Sequence, residues 1–184
     1  DAVNQLVKSS DAVISTHGRL HVIVGAFTNH DSTETTYGGC RRSSRWHPLR
    51  FKRIGITGEM EQVDTLNMNA ALITSLAIKK TGFLSEYFIH SGADFEYGLK
   101  IRKAGGTIWQ TPNAIGFCER NSMIGRSLES GISKKERFIR LLSDKEKPAR
   151  VRARYYKEYG GILWPLLWVA PYLKILVTRQ RKKK

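Results

Sequence analysis

Two carboxylates, Asp94 and Glu96, lie within the chemically densest stretch of the chain, FLSEYFIHSGADFEYGLKIRKAGGTIWQTP (83–112). The pattern from Ser91 to Ala104 predicts a helix, with Phe95 and Leu99 on one side and Tyr97, Ile101 and Ala104 nearby. Both acids then fall in its first turn, where the positive end of the helix dipole favours them. A carboxylate held there has the character of a general base for a hydroxyl nucleophile. The same spacing has a purely structural reading, because Ser91 and Asp94 match a capping box. His90 stands beside this turn, to orient it or simply to hold a hydrogen bond. His17, His21, His30 and His47 have no ligand-like spacing. Cys40 and Cys118 are too few for a disulfide framework or a four-ligand zinc site.

The elements that would position these acids follow from the flanking patterns. Residues 1–15 have a weak helical pattern. LHVIVGAFT (20–28) is β-branched and apolar throughout, as in a strand buried on both faces. Residues 29–51 have no sustained period and read as one long loop. FKRIGITG (51–58) and EQVDTLNMNAALI (61–73) read as strand-like pieces, the second irregular at Asn67-Met68-Asn69. LAIKKTG closes a short helix at Gly82, and GGTIWQTPNAIGFCERN supplies a turn and two short strands. From Leu128 the chain is helical and basic, interrupted at Pro148. This order predicts an α/β layered domain. No Gly-rich strand-to-helix turn, HExxH, CxxC or GxSxG occurs, which removes the commonest nucleotide, zinc, redox and serine-hydrolase signatures.

With these residues in view, Val63–Asn121 resembles the C-terminal half of a family 2 glycosyltransferase of the GT-A fold. The resemblance runs through Leu66-Asn67-Met68-Asn69, then Thr81-Gly82-Phe83-Leu84-Ser85-Glu86-Tyr87-Phe88, then the acidic helix Ala93–Gly105. Ala93 stands where the commoner family motif has Glu or Gly. One bacterial subgroup is more similar still. It is matched by Thr36-Tyr37-Gly38-Gly39, Ala93–Lys100, Gly116-Phe117-Cys118-Glu119-Arg120-Asn121, and Trp164-Pro165 with Pro171-Tyr172. The implied architecture is part of a GT-A domain over 1–127, followed by a basic helical appendage over 128–184.

The resemblance implies transfer of a sugar from a nucleotide-sugar donor to a glycan or lipid-linked acceptor, with inversion, in bacterial surface-polysaccharide synthesis. Asp94 aligns with the family's catalytic base. Glu96 aligns with a second acid that is structural or contacts the acceptor. Tyr37, Gly38, Gly39 and Arg41 would lie beside the acceptor or the diphosphate, since a Gly pair permits close backbone approach and Arg pairs with phosphate. Asn67 and Asn69 would line the donor-sugar and acceptor side. For the loop, an ordinary turn with solvated arginines is the competing reading, and for the two asparagines a strand edge held by their own amides. A divalent metal, magnesium or manganese, is expected of the intact family. Its D-x-D motif and the nucleotide-binding strands lie upstream of the segment that Asp1-Ala2-Val3 resembles, so the main ligands are expected outside this chain. Cys118 stands near a metal-binding His of many relatives, although a lone thiol is more often a small buried hydrophobe.

Net charge is +15 and unevenly placed. Residues 134–184 hold 16 basic and 4 acidic residues, whereas residues 1–133 hold 15 and 12. GGILWPLLWVAPYLKILV (160–177) is apolar except for Lys174, and RQRKKK follows it. Trp164, Trp168 and Tyr172 share a helical face, as interface-seeking aromatics do. The segment reads as a helical hairpin or interfacial helix on an anionic membrane, peripheral to the cytoplasmic side. The competing reading is a packed helix with a basic end. A nucleic-acid or polyanion-binding module would also account for +15 and for ARVRARYYKEYGG. It calls for a basic face on the core, however, and residues 1–133 are nearly balanced. Nucleic acid is therefore not expected as a partner.

Overall fold

The computed structural model describes residues 1–89, 92–122 and 124–177. The chain divides into two compact units. The first comprises 1–43, 50–85 and 94–120, and the second 44–49, 86–93 and 121–184. The second unit thus draws on two excursions from within the segment that reads in sequence as a single domain, 1–127.

The first unit is mixed α/β. Helix α1 (Ala2–His17) leads through Gly18 into β1 (His21–Thr28), followed by β2 (Thr35–Tyr37), β3 (Gly39–Arg42) and β4 (Phe51–Arg53). After these come β5 (Glu61–Val63), β6 (Thr65–Leu66), β7 (Ala71–Ile73), helices α2 (Ser75–Thr81) and α3 (Ala93–Lys103), and β8 (Thr107–Phe117). One sheet runs β2-β1-β8-β5, with β7 also paired to β1; β1 and β8 are parallel and the other pairs antiparallel. A second, antiparallel sheet has the order β4-β3-β6.

β1 is covered on both faces, as its composition demands. Val22 and Val24 pack with Leu66, Tyr97, Ile101 and Ile108. Ile23 faces the other way, onto Leu6 and Val13 of α1. A period of two in a continuous apolar run therefore feeds two cores at once.

Two sequence expectations are corrected here. Residues 29–51 are not one loop, because β2 and β3 lie within them. Both are short, and each is held by a partner distant in sequence, β1 for the first and β4 and β6 for the second. The stretch after Gly106 is one 11-residue strand, not two. Pro112 has no N–H for the ladder, and the pairing with β1 shifts between Val24 and Ala26. There the Thr111 hydroxyl accepts from the Ala26 N–H (3.0 Å) and donates to the Asn113 carbonyl (2.9 Å), carrying the strand past the irregularity. The helix predicted from Ser91 begins at Ala93; Ser91, its expected cap, and His90 lie outside the described residues.

The second unit carries α4 (Lys134–Leu141), α5 (Ala149–Tyr159) and α6 (Trp164–Val177). Ser133 caps α4 by accepting from the Glu136 N–H at 3.1 Å. The face of α6 expected to seek an interface is turned inward. Trp168 Nε1 donates to the Ala149 carbonyl (3.3 Å), and Tyr172 lies against Phe138 of α4, with ring centroids 5.8 Å apart. Pro165 falls in the first turn, where an N–H would have no helical partner anyway, and Pro171 is accommodated within the helix.

His21 couples this fold to pH. It is fully buried, its Nδ1–H donates to the Gly18 carbonyl (2.9 Å), and its Nε2 accepts from the Ser10 hydroxyl (2.9 Å). Burial, the larger effect, lowers its pKa, against the opposing pull of the Gly18 carbonyl. The unfolded chain binds this proton near 6.5 and the folded chain only at lower pH, so stability rises with pH across that window. We expect the urea midpoint to fall between about pH 7.5 and 5.5, and His21→Gln to be less stable but to lose that component. An unchanged acid slope in the variant would assign the titration to another group.

Candidate functional site

Asp94 is positioned by a close backbone approach. Gly98 sits one turn further along α3, and a Cβ there would stand 2.5 Å from Thr65 Oγ1 and 2.9 Å from the Thr65 Cα. Only glycine lets α3 settle this near to β6. The Thr65 hydroxyl then donates to the Phe95 carbonyl at 2.8 Å. With the helix seated, the Asn67 Nδ2 group donates to Asp94 Oδ2 (3.3 Å), and the Phe95 N–H donates to Asp94 Oδ1 (2.8 Å). Each oxygen of this partly exposed carboxylate has a donor that fixes its direction.

Asn67 is itself held from its other end. Its Oδ1 accepts from Arg53 Nη2 (3.5 Å) and, weakly, from the Cys40 thiol (4.0 Å). The amide therefore points its N–H₂ group at the acid and its oxygen at the cation. Arg53 also lies over the Tyr37 ring, 5.6 Å from its centroid. Burial, reinforced by the nearby charge of Arg120, lowers the Arg53 pKa from its ordinary value. Burial likewise pushes the Cys40 thiol up to about 11, against the pull of Arg53 and with the help of Asp94. Cys40 is thus a protonated, inert neighbour rather than a nucleophile.

The glycine pair is used for close approach, and the surface it approaches is Gln110. Gly38 has φ +146° and a Cβ there would meet Gln110 Oε1 at 2.5 Å. The Gly39 N–H donates to that same oxygen at 2.8 Å, while Gln110 Nε2 donates to the Gly55 carbonyl at 3.0 Å. The Gly38 carbonyl accepts from the Asn67 N–H (2.8 Å), so the turn and the asparagine segment clasp each other.

The remaining expected residues lie apart from this constellation. Arg41 points to the sheet edge, paired with Glu61 at 2.5 Å and donating through Nε to the Gln62 carbonyl. Asn69 donates to Cys118 Sγ at 3.7 Å. Glu96 is 2% exposed and accepts from the Ser85 hydroxyl at 2.9 Å, a buried anchor of α3. Among the described residues no three of His, Cys, Asp and Glu converge as a metal shell. The described side chains therefore assemble no shell for a divalent ion on this chain.

Arg53, Gln110, Thr65 and Gly98 are members of this constellation that the sequence did not single out. Gly98 alone carried a local signal, a glycine inside a helical pattern. Compared with known proteins, the sequence matches no family model, and no curated protein matches it.

Two opposed effects meet at Gly98. Alanine in a helix interior gains about 0.5–1 kcal/mol, whereas overpacking against a fixed backbone costs about 1–3 kcal/mol. The Thr65 Cα cannot swing aside as a side chain would, so the second wins. Gly98→Ala should lower unfolding stability by about 1–2 kcal/mol on that balance, measured by urea denaturation. A neutral or stabilised variant would show that the α3–β6 contact is not tight.

Proposed function

We propose that this chain is part of an inverting, family 2-like glycosyltransferase of the GT-A type, with Asp94 as the general base. The observation that carries this reading is the Asn67–Asp94 contact at the head of α3, with Arg53 behind the asparagine. A partly exposed carboxylate with both oxygens oriented can take the proton of an acceptor hydroxyl. That oxygen attacks the anomeric carbon of a nucleotide sugar, the bond to the diphosphate breaks, and the configuration inverts. The order of the sequence motifs supports the reading, as does a covered parallel β1–β8 pair flanked by α3. Asn67 contacts the base and Tyr37 lies against Arg53 behind that asparagine, so these two are the residues assigned to the acceptor side. Glu96 is assigned to anchoring the helix.

The test is transfer of labelled sugar from a panel of nucleotide sugars to glycan and lipid-linked acceptors. In the intact enzyme of which this chain is read as a part, Asp94→Asn should fold, keep donor binding and lose about 10²–10⁴-fold in rate. Transfer at the wild-type rate by a folded Asp94→Asn protein would remove the residue from the mechanism.

The reading extends to an anionic membrane surface as partner, at the cytoplasmic face. No helix among the described residues is long and apolar enough to cross a membrane. α6 has 14 residues, about 21 Å of helix against a hydrocarbon core of about 30 Å. Its outward stripe is aliphatic instead of aromatic: Leu166, Leu173 and Val177 are exposed, and the exposed Ile162 and Leu163 lead into the helix. That stripe belongs to the segment carrying 16 cations against 4 acids, which is the complement of an acidic lipid surface. The protein should sediment with phosphatidylglycerol vesicles and weaken only in part at 1 M salt, where the Debye length is about 3 Å. Leu166→Ser with Leu173→Ser should weaken it further. Equal sedimentation of the double variant would mean the stripe does not touch lipid.

A further inference from the structure

The run ARVRARYYKEY, which mixes arginine with tyrosine, sorts the two kinds once it is wound as α5. Its tyrosines turn inward: Tyr155 is buried against Phe88, Tyr159 lies against Tyr155, and Tyr156 meets His47 edge-on. Arg152 is buried as well and lies over the Tyr172 ring of α6, 5.8 Å from its centroid. Arg150 and Arg154 each stand two residues from Arg152, about 200° around the helix, and so on the face turned away from α6. Lys157 continues that face one turn further on, and all three are exposed. Arg154 is laid over the Tyr87 ring, 4.2 Å from its centroid, which limits its motion and keeps its N–H edge for acceptors. Three acids of the second unit are spent elsewhere, Glu129 and Glu136 on Arg140, and Glu146 near Arg152 at 4.0 Å. Among the described residues none of Arg150, Arg154 and Lys157 has an acid partner.

We propose that this outer face of α5 is a docking surface for a carboxylate-bearing glycan chain. Three cations about 6 and 4.5 Å apart along the helix axis offer successive charge-assisted contacts to a repeating acid. The aliphatic stripe of α6 lies on the other side of the α5–α6 pair. Trp168 and Tyr172 point at α5 and α4, whereas Leu166 and Leu173 are exposed and point away. A lipid surface that takes the stripe therefore does not reach the cation row. A single-stranded nucleic acid calls for open rings on which its bases stack. Here the α5 tyrosines are packed inward and Tyr87 is covered by Arg154. A sugar chain with carboxylates needs only the cations. The inference rests on the transferase reading for the source of that chain, the acceptor or its extended product, and it names the chain as acidic.

The test is fluorescence anisotropy of a labelled oligogalacturonate titrated with the whole chain at low, constant ionic strength. A labelled maltooligosaccharide of the same length is the neutral probe. The acidic probe should bind and the neutral one should not. Arg150→Gln with Arg154→Gln should weaken binding about tenfold, the sum of two exposed charge pairs. Lys79→Gln with Lys80→Gln, a charge-matched change on α2, should alter it little. Sedimentation with phosphatidylglycerol vesicles then separates the two faces. Leu166→Ser with Leu173→Ser should weaken vesicle binding and spare the glycan. The α5 change should weaken the glycan and affect vesicles no more than the α2 change does. Equal weakening by the α2 change, equal binding of the neutral probe, or joint loss of glycan and vesicles in an α5 variant of native helix content would overturn the proposal. So would displacement of the probe by oligothymidylate at a lower concentration than by unlabelled oligogalacturonate, which would assign the row to nucleic acid. Anisotropy is read without turnover, so its failure leaves the role of Asp94 standing. If the glycan binds through α5 but the intact enzyme transfers no sugar, the transferase reading falls and the docking surface remains.

Discussion

The side-chain amide of Gln110 is the joint on which the first unit's Asp94 constellation depends. It projects from β8 in the larger sheet and is spent entirely on the backbone of the smaller one, accepting from Gly39 and donating to Gly55. Those two residues bracket β3 and β4. Fixing them fixes the strand that presents Arg53, and through the Gly38–Asn67 hydrogen bond it fixes the entry to Asn67 as well. An apolar residue of the same size at this buried position would strand an N–H and a carbonyl, each at a cost of about 1–3 kcal/mol. The two glycines of the turn are the counterpart of that amide. A side chain at Gly38 would occupy the space of Gln110 Oε1, and one at Gly39 would run into Val63.

From this joint a polar relay extends across the smaller sheet: Tyr37 under Arg53, Arg53 to Asn67, Asn67 to Asp94. Each member is over-determined. The tyrosine ring and burial limit Arg53, two acceptor contacts at Oδ1 limit Asn67, and the seating of α3 through Gly98 limits Asp94. A chain of charge-assisted and neutral hydrogen bonds in a partly desolvated place has few alternative arrangements. Preorganisation of the acid thus comes from packing and not from a single strong contact.

How much of this was legible in the sequence varies with the range of the interaction involved. β1 was readable because a run such as HVIVGAFT fits only an element covered on both sides. α3 and its leading acids were readable from a local period and the first-turn chemistry. β2 and β3 were not, because three- and four-residue strands are defined by partners that no local window contains. The relay was half legible. Asp94, Asn67 and Tyr37 stood in recognisable strings, whereas Arg53 sits in an unremarkable FKR, and its importance arises only from a non-local meeting. Arg41 was the more conspicuous arginine, one residue after Cys40 and two after the glycine pair. It lies in the exposed half of β3, after the buried Gly39 and Cys40, and Glu61 takes it up there.

The same logic settles the second unit's outer helix. Aromatic residues at i, i+4 and i+8 mark one face of α6, but a face is defined only relative to what it packs on. Trp168 has an indole N–H to satisfy and Tyr172 a large ring to bury. α5 offers a carbonyl at Ala149 and α4 a ring at Phe138. The leucines, which have no polar atom to satisfy, are left on the opposite side. Leu166, Leu173 and Val177 therefore form the outward stripe because the aromatics outcompeted them for the interior, and that exchange turned an aromatic surface expected from spacing into an aliphatic one.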